Sequence, residues 1–238
     1  MAVCNAEKAV EYLTGDRLRH IDMLEAVKRD EAELLFAEDG GVILRHRGAG
    51  AVMISAGSAA VLEKMLEQAG RPALIALHQP RFAGLLQERF AHPNRMDCMQ
   101  CAYLETEGPD VPPRGDVVLR ALSPDALSFV MRHYEYAFDE AYITERIQAG
   151  MLGAFCEGRP AGFIGTHAEG TMGLLQVLPE FRRRGIARVL EAALIKRQLR
   201  LGYVPHTHVV TTNRPSIRLQ EKLGLRFSDE AMVWLYDH

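Results

Sequence analysis

The chain has 238 residues, which is long enough for one large domain or two small ones. Hydrophobic residues make up 48% and charged residues 25%, as in ordinary globular proteins, and the formal net charge of −3 gives no overall attraction to nucleic acid or to an anionic membrane. No apolar run reaches the roughly 18 residues that span a bilayer, and the start MAVCNAEKAVEYL lacks the pattern of a secretion signal, so we expect a cytoplasmic protein.

The first half of the chain alternates predicted helices and strands. In chain order they are helices near Ala6–Leu13 and Arg17–Asp30, strands Val42–Arg47 and Ala51–Ser55, helix Ser58–Gln68, strand Ala73–Leu77, helix Arg81–Phe90 and strand Met96–Leu104.

Two of the four cysteines form a CxxC pattern, Cys98-Met99-Gln100-Cys101, which is typical of half a zinc site or a redox pair. A zinc site needs four ligands, and no second CxxC or HxxxH follows. The segment also has the pattern of a strand, in which residues three apart point to opposite faces. We therefore expect buried structural thiols and no metal site, with metal or redox use as the alternative.

A segment rich in proline, glycine and acidic residues, Glu105–Asp116, divides the chain nearly in half. Its three prolines and two glycines exclude a regular element. We therefore predict an amino-terminal unit at 1–108, a linker at 109–115 and a second domain at 116–238.

The second half contains a long predicted helix that starts near Gly185 and ends at Gly202. The order of elements in the first half resembles that of the second half, counted from the second strand of the second half onward. This similarity suggests an internal duplication with little sequence identity. The predicted elements are strand Val117–Leu122, a helix from Ser123 to about Tyr134, helix Glu140–Gln148, strands Met151–Cys156, Ala161–Thr166 and Met172–Leu178, the long helix, strand His206–Thr211, helix Pro215–Leu223 and strand Met232–Tyr236.

The turn before the long helix concentrates positive charge. Arg182, Arg183, Arg184 and Arg188 lie within seven positions of a net-acidic chain. The first turn of a helix leaves backbone N–H groups without partners and carries partial positive charge, and a glycine such as Gly185 lets a ligand approach the backbone closely. The turn therefore suits a phosphate group, with a solvated basic turn as the alternative.

A second motif, Asn213–Leu225, lies about 30 positions downstream, one helix and one strand later. Asn213 and Ser216 are polar residues at a helix start, so simple capping is one interpretation. The functional interpretation has them facing a cofactor held between two neighbouring strands.

Together the two motifs, R-x-x-G-x-A after a strand and N-x-x-S-x-x-L-x-E-K-L-G, resemble the GNAT acyltransferase superfamily. Within it, the run from Gly165 to Gly185 is most similar to the branch that contains glycine N-acyltransferase and its bacterial relatives. The resemblance covers about Asp116 to Tyr236. It implies the GNAT fold, with a mixed α/β sheet, in the second half. The first half is then a degenerate GNAT-like α/β unit without catalytic function.

The resemblance implies acetyl-CoA or another acyl-CoA as co-substrate, and no metal. The cofactor would lie between strands 172–178 and 206–211, with its pantetheine arm on the backbone of the first strand and its pyrophosphate on the N–H groups of the basic turn. The expected cofactor-binding residues are Gln176, Val177, Leu178, Arg182, Arg183, Arg184, Gly185, Ile186, Ala187, Asn213 and Ser216.

Acyl transfer needs a neutral amine, so a general base assists the reaction. Relatives often carry a Glu on the strand before the phosphate turn, but the aligned residue is Thr171. Glu169 points to the same face if the strand starts early enough, and His167 lies two residues earlier again. We expect Glu169 as the base and His167 as the second candidate. The alternative is a hairpin turn that carries a solvated acid.

Gln220 occupies the position at which many relatives carry a proton-donating Tyr. Gln cannot act as an acid, but the CoA thiolate is a fair leaving group because a thiol pKa is about 8.5. The resemblance therefore implies a slower reaction, with Ser216 or Tyr236 as substitute acids. His206 and His208 share one strand face and are expected in the substrate wall or the core, with metal binding as the alternative, for which no third ligand is evident.

The sequence thus predicts an N-acyltransferase that transfers an acetyl or other short acyl group from acyl-CoA to a small-molecule amine or an amino acid. The alternative is a non-catalytic acyl-CoA-binding or regulatory module. The expected partners are acyl-CoA and an amine, without nucleic acid or membrane, and the oligomeric state stays open. The segment Tyr134–Tyr142 lies where relatives shape the acceptor pocket. If it faces the pocket, its acidic residues would favour a cationic amine, and the alternative is an ordinary loop between two helices. The first half has no arginine near the turn Ala56–Ala59, so we expect it to bind no CoA.

Overall fold

The computed structural model describes residues 6–112, 114–135 and 139–237. The centre of the predicted acceptor segment, residues 136–138, and Cys4 lie outside these described residues. The chain forms two compact units. The first comprises Met1–Ala102, His208–Ile217 and Arg226–His238, and the second comprises Tyr103–Thr207 and Arg218–Leu225. The predicted boundary at 109–115 stays a prediction.

The helices and strands follow the predicted order with two additions, β1 and β11. In chain order the first half contains α1 (Ala6–Thr14), α2 (Ile21–Lys28), β1 (Ala32–Glu38), β2 (Gly41–His46), β3 (Val52–Ala56), α3 (Ala59–Leu66), β4 (Leu74–Leu77), α4 (Ala83–Phe90) and β5 (Asn94–Ala102). The second half contains β6 (Val117–Ala121), α5 (Leu127–His133), α6 (Glu140–Gln148), β7 (Leu152–Cys156), β8 (Arg159–Thr166), β9 (Met172–Val177), α7 (Ile186–Arg200), β10 (His206–Val210), α8 (Arg214–Leu223), β11 (Arg226–Phe227) and β12 (Met232–Tyr236).

Strand β1 was not predicted, and its sequence AELLFAE shows why. Ala, Leu and Glu favour helices, and four consecutive apolar residues, 34–37, break the alternation expected of a strand. Pairing with β2 overrides this preference through an antiparallel ladder whose register shifts between Leu34 and Phe36.

The strands form two sheets. The larger has the order β1-β2-β3-β4-β12-β5-β10, with β11 paired to β5. The smaller has the order β6-β7-β8-β9 and is antiparallel throughout. The last strand of the chain, β12, lies between β4 and β5, and Trp234 is opposite both Ala76 and Met96. The predicted mixed α/β architecture is confirmed.

Each unit has its own apolar core. In the first unit α3 and α4 pack on one face of the sheet and α1 and α2 on the other, around residues such as Ile54, Leu77 and Met53. In the second unit α5 and α6 pack over Phe163 and Leu174. No helix in the described ranges is long and apolar enough to cross a membrane.

The first unit also buries a polar network, in which two histidines flank one aspartate. His78 directs Nδ1 to the Ile54 carbonyl (3.0 Å) and Nε2 to Asp22 (2.9 Å), so both ring nitrogens donate and the ring is protonated. Burial opposes the ionisation of Asp22. The charge of His78 and the hydrogen bonds from His78 and His208 prevail, and the pKa of Asp22 stays well below its usual value.

Both cysteines of the CxxC pattern lie in the core of the first unit, as the strand pattern predicts. Cys98 and Cys101 are 1% and 0% exposed, and burial raises the pKa of the Cys98 thiol to about 12. Among the residues that the structure describes, no group of three or more His, Cys, Asp or Glu side chains is arranged to hold a metal ion.

Candidate functional site

The basic turn of the second unit has an unusual backbone. After β9 the chain makes one short 3₁₀ turn, Pro179–Phe181, whose Phe181 is buried. Arg183 and Gly185 then both adopt left-handed conformations, with φ of 65° and 76°. Gly185 tolerates this conformation without strain, whereas an arginine does so only where the surrounding structure requires it. Gly185 is the residue that directly precedes the first turn of α7.

This turn presents a row of free backbone donors. In the described chain no acceptor is found for the N–H groups from Arg183 to Ala187. Before the row, Arg182 N–H donates to the Pro179 carbonyl (3.2 Å), and further along α7 the Val189 N–H donates to the Gly185 carbonyl (3.2 Å). Successive N–H groups in alternating left- and right-handed residues form a concave nest, and at a helix start such a nest attracts an anion.

The side chains of the turn add positive charge and brace it. Arg182 Nε donates to the Val177 carbonyl at 3.1 Å, and the Arg184 guanidinium lies 5.5 Å from the centroid of the Phe181 ring. Arg114, which the sequence did not single out, donates to the Arg184 carbonyl and pairs with Asp116. The arginines 182–184 are all exposed, so their charge is available to a ligand in solvent.

Strand β9 lies at one edge of the smaller sheet. Leu178 N–H donates to the Ala161 carbonyl at 2.9 Å, and a Cβ added at Gly162 would lie 2.4 Å from the Gln176 carbonyl oxygen. The backbone groups of residues 176 and 178 therefore face β8. The direction of the backbone N–H and C=O groups alternates along a strand. Of the three strand residues predicted to contact the cofactor, Val177 is therefore the one whose backbone faces the open edge. Its carbonyl accepts a hydrogen bond from Arg182 Nε.

Within the second unit, a residue of β10 contacts β9. The Thr207 hydroxyl, which is 5% exposed, donates to the Met172 carbonyl at 2.7 Å. This bond is made by a side chain, and the two strands belong to different sheets.

The predicted bases lie in the turn between β8 and β9. Strand β9 starts only at Met172, so Glu169 does not extend the strand face, and the hairpin-turn alternative describes this segment. His167 N–H donates to the Thr171 carbonyl (2.8 Å), and the Thr171 hydroxyl donates to the Glu169 carboxylate (2.6 Å). Glu169 is half-buried and accepts the hydrogen bond from Thr171, so it is not the solvated acid that the hairpin-turn alternative describes.

His167 is joined to a residue that sequence reasoning named only as part of the acceptor segment. The Tyr142 hydroxyl lies 2.8 Å from His167 Nδ1. Burial and the charge of Glu169 raise the pKa of Tyr142, so its hydroxyl stays neutral. The periodicity of α6 gave no signal for this contact, because it depends on how the helix packs against the hairpin.

Gln220 faces a buried carboxylic acid. Its Nε2 donates to Glu191 Oε1 at 2.7 Å, and both side chains are 2% exposed. Burial raises the pKa of Glu191 to about 7 against the opposing effect of this hydrogen bond. Glu191 Oε2 and Gln220 Oε1 have no hydrogen-bond partner. A proton on Oε2 would satisfy both atoms by closing a ring between the acid and the amide.

Asn213 and Ser216 belong to the first unit, where they cap α8. Asn213 Oδ1 accepts from Ser216 N–H at 3.2 Å, and the Asn213 carbonyl accepts from Ile217 N–H at 3.0 Å. The structure therefore contains the capping arrangement. The predicted contacts of both residues with the cofactor, and the proton transfer proposed for Ser216, stay predictions.

His208 belongs to the buried network of the first unit. The Trp234 indole N–H can only donate a hydrogen bond, and its Nε1 lies 3.2 Å from His208 Nδ1, which must therefore accept. The proton of the neutral ring is then on Nε2, which donates to Gln100 Oε1 at 2.5 Å. Of the two interpretations of this histidine, core and substrate wall, the structure places it in the core. His206 is fully buried in the second unit.

The turn after β3 in the first unit has a different backbone arrangement. Strands β3 and β4 pair directly in parallel, from Val52 opposite Ile75 to Ile54 opposite Leu77. The Ala56 N–H donates to Gln79 Oε1 (2.8 Å), and the Gly57 N–H donates to the Gly40 carbonyl (2.8 Å).

Comparison with known proteins identifies the fold. Residues 150–235 match the model of the family described as FR47-like protein. A Drosophila protein superposes with a TM-score of 0.68 at 18% identity, over 96% of this chain and 86% of that chain. No curated protein matches the chain.

Two bacterial structures carry an activity in their descriptions. A GCN5-related N-acetyltransferase from Kribbella flavida has a TM-score of 0.59 at 14% identity, over 92% of this chain and 95% of that chain. Another from Sphaerobacter thermophilus has a TM-score of 0.57 at 17% identity, over 92% and 89%. At these identities the similarity shows the fold alone. The chain therefore has the GNAT fold, and the structural similarity extends over most of its length.

Proposed function

We propose that the protein is an N-acyltransferase that transfers an acetyl or other short acyl group from acyl-CoA to the amine of a small molecule or an amino acid. The observation that carries the proposal is the row of free N–H groups from Arg183 to Ala187 in a turn with three exposed arginines. A pyrophosphate carries negative charges that both features attract. The similarity to N-acetyltransferase structures supports the same ligand class.

The pantetheine arm is proposed to run along the open edge of β9, where the backbone of Val177 faces outward. Gln176 and Leu178 would then contribute through their side chains, because their backbone groups face β8. Asn213 and Ser216 complete the proposed set of cofactor contacts. The branch that contains glycine N-acyltransferase, and a first half that binds no CoA, belong to the same proposal.

Calorimetry with CoA on the full chain tests the cofactor half of the proposal. We expect binding that weakens with salt, and we expect Arg183→Gln to lower the affinity by roughly tenfold because one charge-assisted contact is lost. Arg200→Gln is the matched control, since this exposed arginine lies at the other end of α7. No binding by the wild-type chain, or an equal loss in both variants, would contradict the proposal.

A non-catalytic acyl-CoA-binding module is the second candidate, because Gln220 cannot donate a proton to the departing thiolate. Thiol release from acetyl-CoA across a library of amines separates the two functions. Release that depends on a particular amine supports the transferase. Tight CoA binding with no release on any amine would favour the module.

A further inference from the structure

A guanidinium from outside the basic turn holds one of its peptide groups. Arg114, which lies shortly before β6, donates from Nη1 to the Arg184 carbonyl. The same nitrogen lies 3.7 Å from the place that a Cβ added at Gly185 would occupy. An arginine side chain can only donate hydrogen bonds and a carbonyl can only accept them, so the direction of this bond is unambiguous. The contact therefore fixes the peptide that joins Arg184 to Gly185.

Arg114 is itself held by its own segment. The Val117 N–H donates to the Arg114 carbonyl at 3.1 Å, which closes a turn at the start of β6. Strand β6 pairs with β7, with Val117 opposite Cys156. The guanidinium also binds Asp116 at two points, since Nε lies 3.0 Å from Oδ1 and Nη2 lies 2.8 Å from Oδ2. Arg114 thus reaches the basic turn from a fixed position.

The planarity of the peptide bond gives this contact its consequence. In a trans peptide the C=O group and the following N–H group point in opposite directions. Because Arg114 holds the Arg184 carbonyl, the Gly185 N–H is directed the other way. This N–H is in the middle of the row of donors at residues 183–187. Glycine is the most conformationally permissive residue, so this peptide is the one that most needs a restraint.

The charges of Arg114 and Asp116 nearly cancel each other. The hydrogen bond from Arg114 and the positive charges of Arg114 and Arg184 lower the pKa of Asp116, so its carboxyl stays ionised at neutral pH. The pair as a whole then adds little net charge beside the basic turn. The contribution of Arg114 to anion binding is therefore geometric, through the direction of a backbone N–H group, and not an extra positive charge.

We propose that Arg114 is a positioning residue of the cofactor site, which holds the peptide between Arg184 and Gly185 so that the Gly185 N–H points into the anion nest before the ligand arrives. The proposal rests on the proposed function, in which the nest binds the pyrophosphate of acyl-CoA. A donor that is already oriented binds its anion without the entropic cost of ordering the peptide. The predicted linker, 109–115, thereby contributes a residue to the site.

The double variant Arg114→Met/Asp116→Asn tests the proposal, because it removes the contact and leaves the net charge unchanged. Arg95→Met/Asp97→Asn is the matched control, since this Arg-x-Asp pair in the first unit has the same two-point geometry, at 3.0 and 2.7 Å. Nitrogen-15 relaxation of the Gly185 amide measures how firmly the peptide is held in the ligand-free chain. We expect its order parameter to fall from about 0.85 to below about 0.6 in the first variant and to stay high in the control. An unchanged order parameter in the first variant would overturn the proposal.

Calorimetry with CoA on the full chain gives the second readout, after circular dichroism has checked that both double variants fold. We expect the first double variant to bind CoA roughly fivefold more weakly, the effect of about one hydrogen bond, and the control to bind it as wild type does. Because the net charge is unchanged, this factor should be the same at low and high salt, whereas the loss in Arg183→Gln should shrink as salt rises.

Three outcomes would count against the role of Arg114. Wild-type CoA affinity in the first double variant would overturn it and leave the proposed function intact. A loss of affinity that shrinks with salt would mean that Arg114 acts through its charge, which would also overturn the proposal. A wild-type chain that binds no CoA would refute the proposed function and the cofactor role of Arg114 with it, whatever the order parameter shows.

Discussion

The substitution Glu191→Gln tests whether a neutral acid lies inside the second unit. The carboxyl is 2% exposed, and burial raises its pKa from 4.5 to about 7. Gln has nearly the same shape, keeps an oxygen for Gln220 Nε2, and offers a donor to the unpartnered Gln220 Oε1. The variant therefore removes the titration and leaves the packing almost unchanged.

The magnitude follows from proton linkage. Below pH 4.5, the pKa of Glu191 in the unfolded chain, the carboxyl is protonated in both states and does not change the free energy of unfolding. Between pH 4.5 and about 7 the unfolded chain loses the proton and the folded chain keeps it, so the free energy of unfolding falls by roughly 1.36 kcal/mol per pH unit. The full effect is about 3 kcal/mol and is complete above the folded pKa. The variant should thus be about 3 kcal/mol more stable than wild type at pH 8 and nearly equal to it near pH 4.5.

Urea unfolding followed by circular dichroism, at fixed salt and at a series of pH values from about 5 to 8.5, measures this difference. The other titrating groups contribute equally to the free energy of unfolding of the two proteins, so their contributions cancel. Glu221→Gln, an exposed glutamate on α8, is the control and should show no such trend. A stability difference for Glu191→Gln that does not change with pH would refute the assignment of a raised pKa.

Three further predictions concern the turn, the buried ion pair and the thiols. Gly185→Ala and Gly202→Ala both place a side chain at a φ of 76°, so each should cost roughly 1 kcal/mol of stability, but only Gly185→Ala should weaken CoA binding in calorimetry. Asp22→Asn should destabilise the protein by about 3 kcal/mol or more in urea unfolding, because it leaves a buried cation without its partner. Cys98 and Cys101 should resist a thiol reagent in the native protein and react after unfolding, because both are buried and the Cys98 pKa is raised to about 12.

Each of these has a contradicting outcome. Equal loss of CoA affinity in the two glycine variants would mean that the free N–H groups of the turn hold no phosphate. For the ion pair, the control is Asp97→Asn, which removes an exposed pair with Arg95 and should cost less than about 1 kcal/mol. Rapid modification of the native thiols would show that the CxxC segment opens readily.

The sequence was sufficient for the features that local chemistry decides. Alternating and helical apolar spacing located almost every strand and helix, and glycines at 185 and 202 marked both ends of α7. The basic turn was recognisable because charge, glycine and helix start are all adjacent in the chain. Helix propensity hid β1, because pairing with β2 and not its own composition makes it a strand.

The tertiary structure decided which partner each functional side chain meets. Tyr142 lies 25 positions from His167, and Gln220 lies 29 positions from Glu191, so no spacing rule connects either pair. Their contacts exist because packed helices bring distant residues together and exclude water. That exclusion shifts the pKa of Glu191 and leaves its polar atoms dependent on a single neighbour. The amino-acid sequence thus determined the basic turn with its glycine at a helix start, and only the fold determined which distant side chains meet one another.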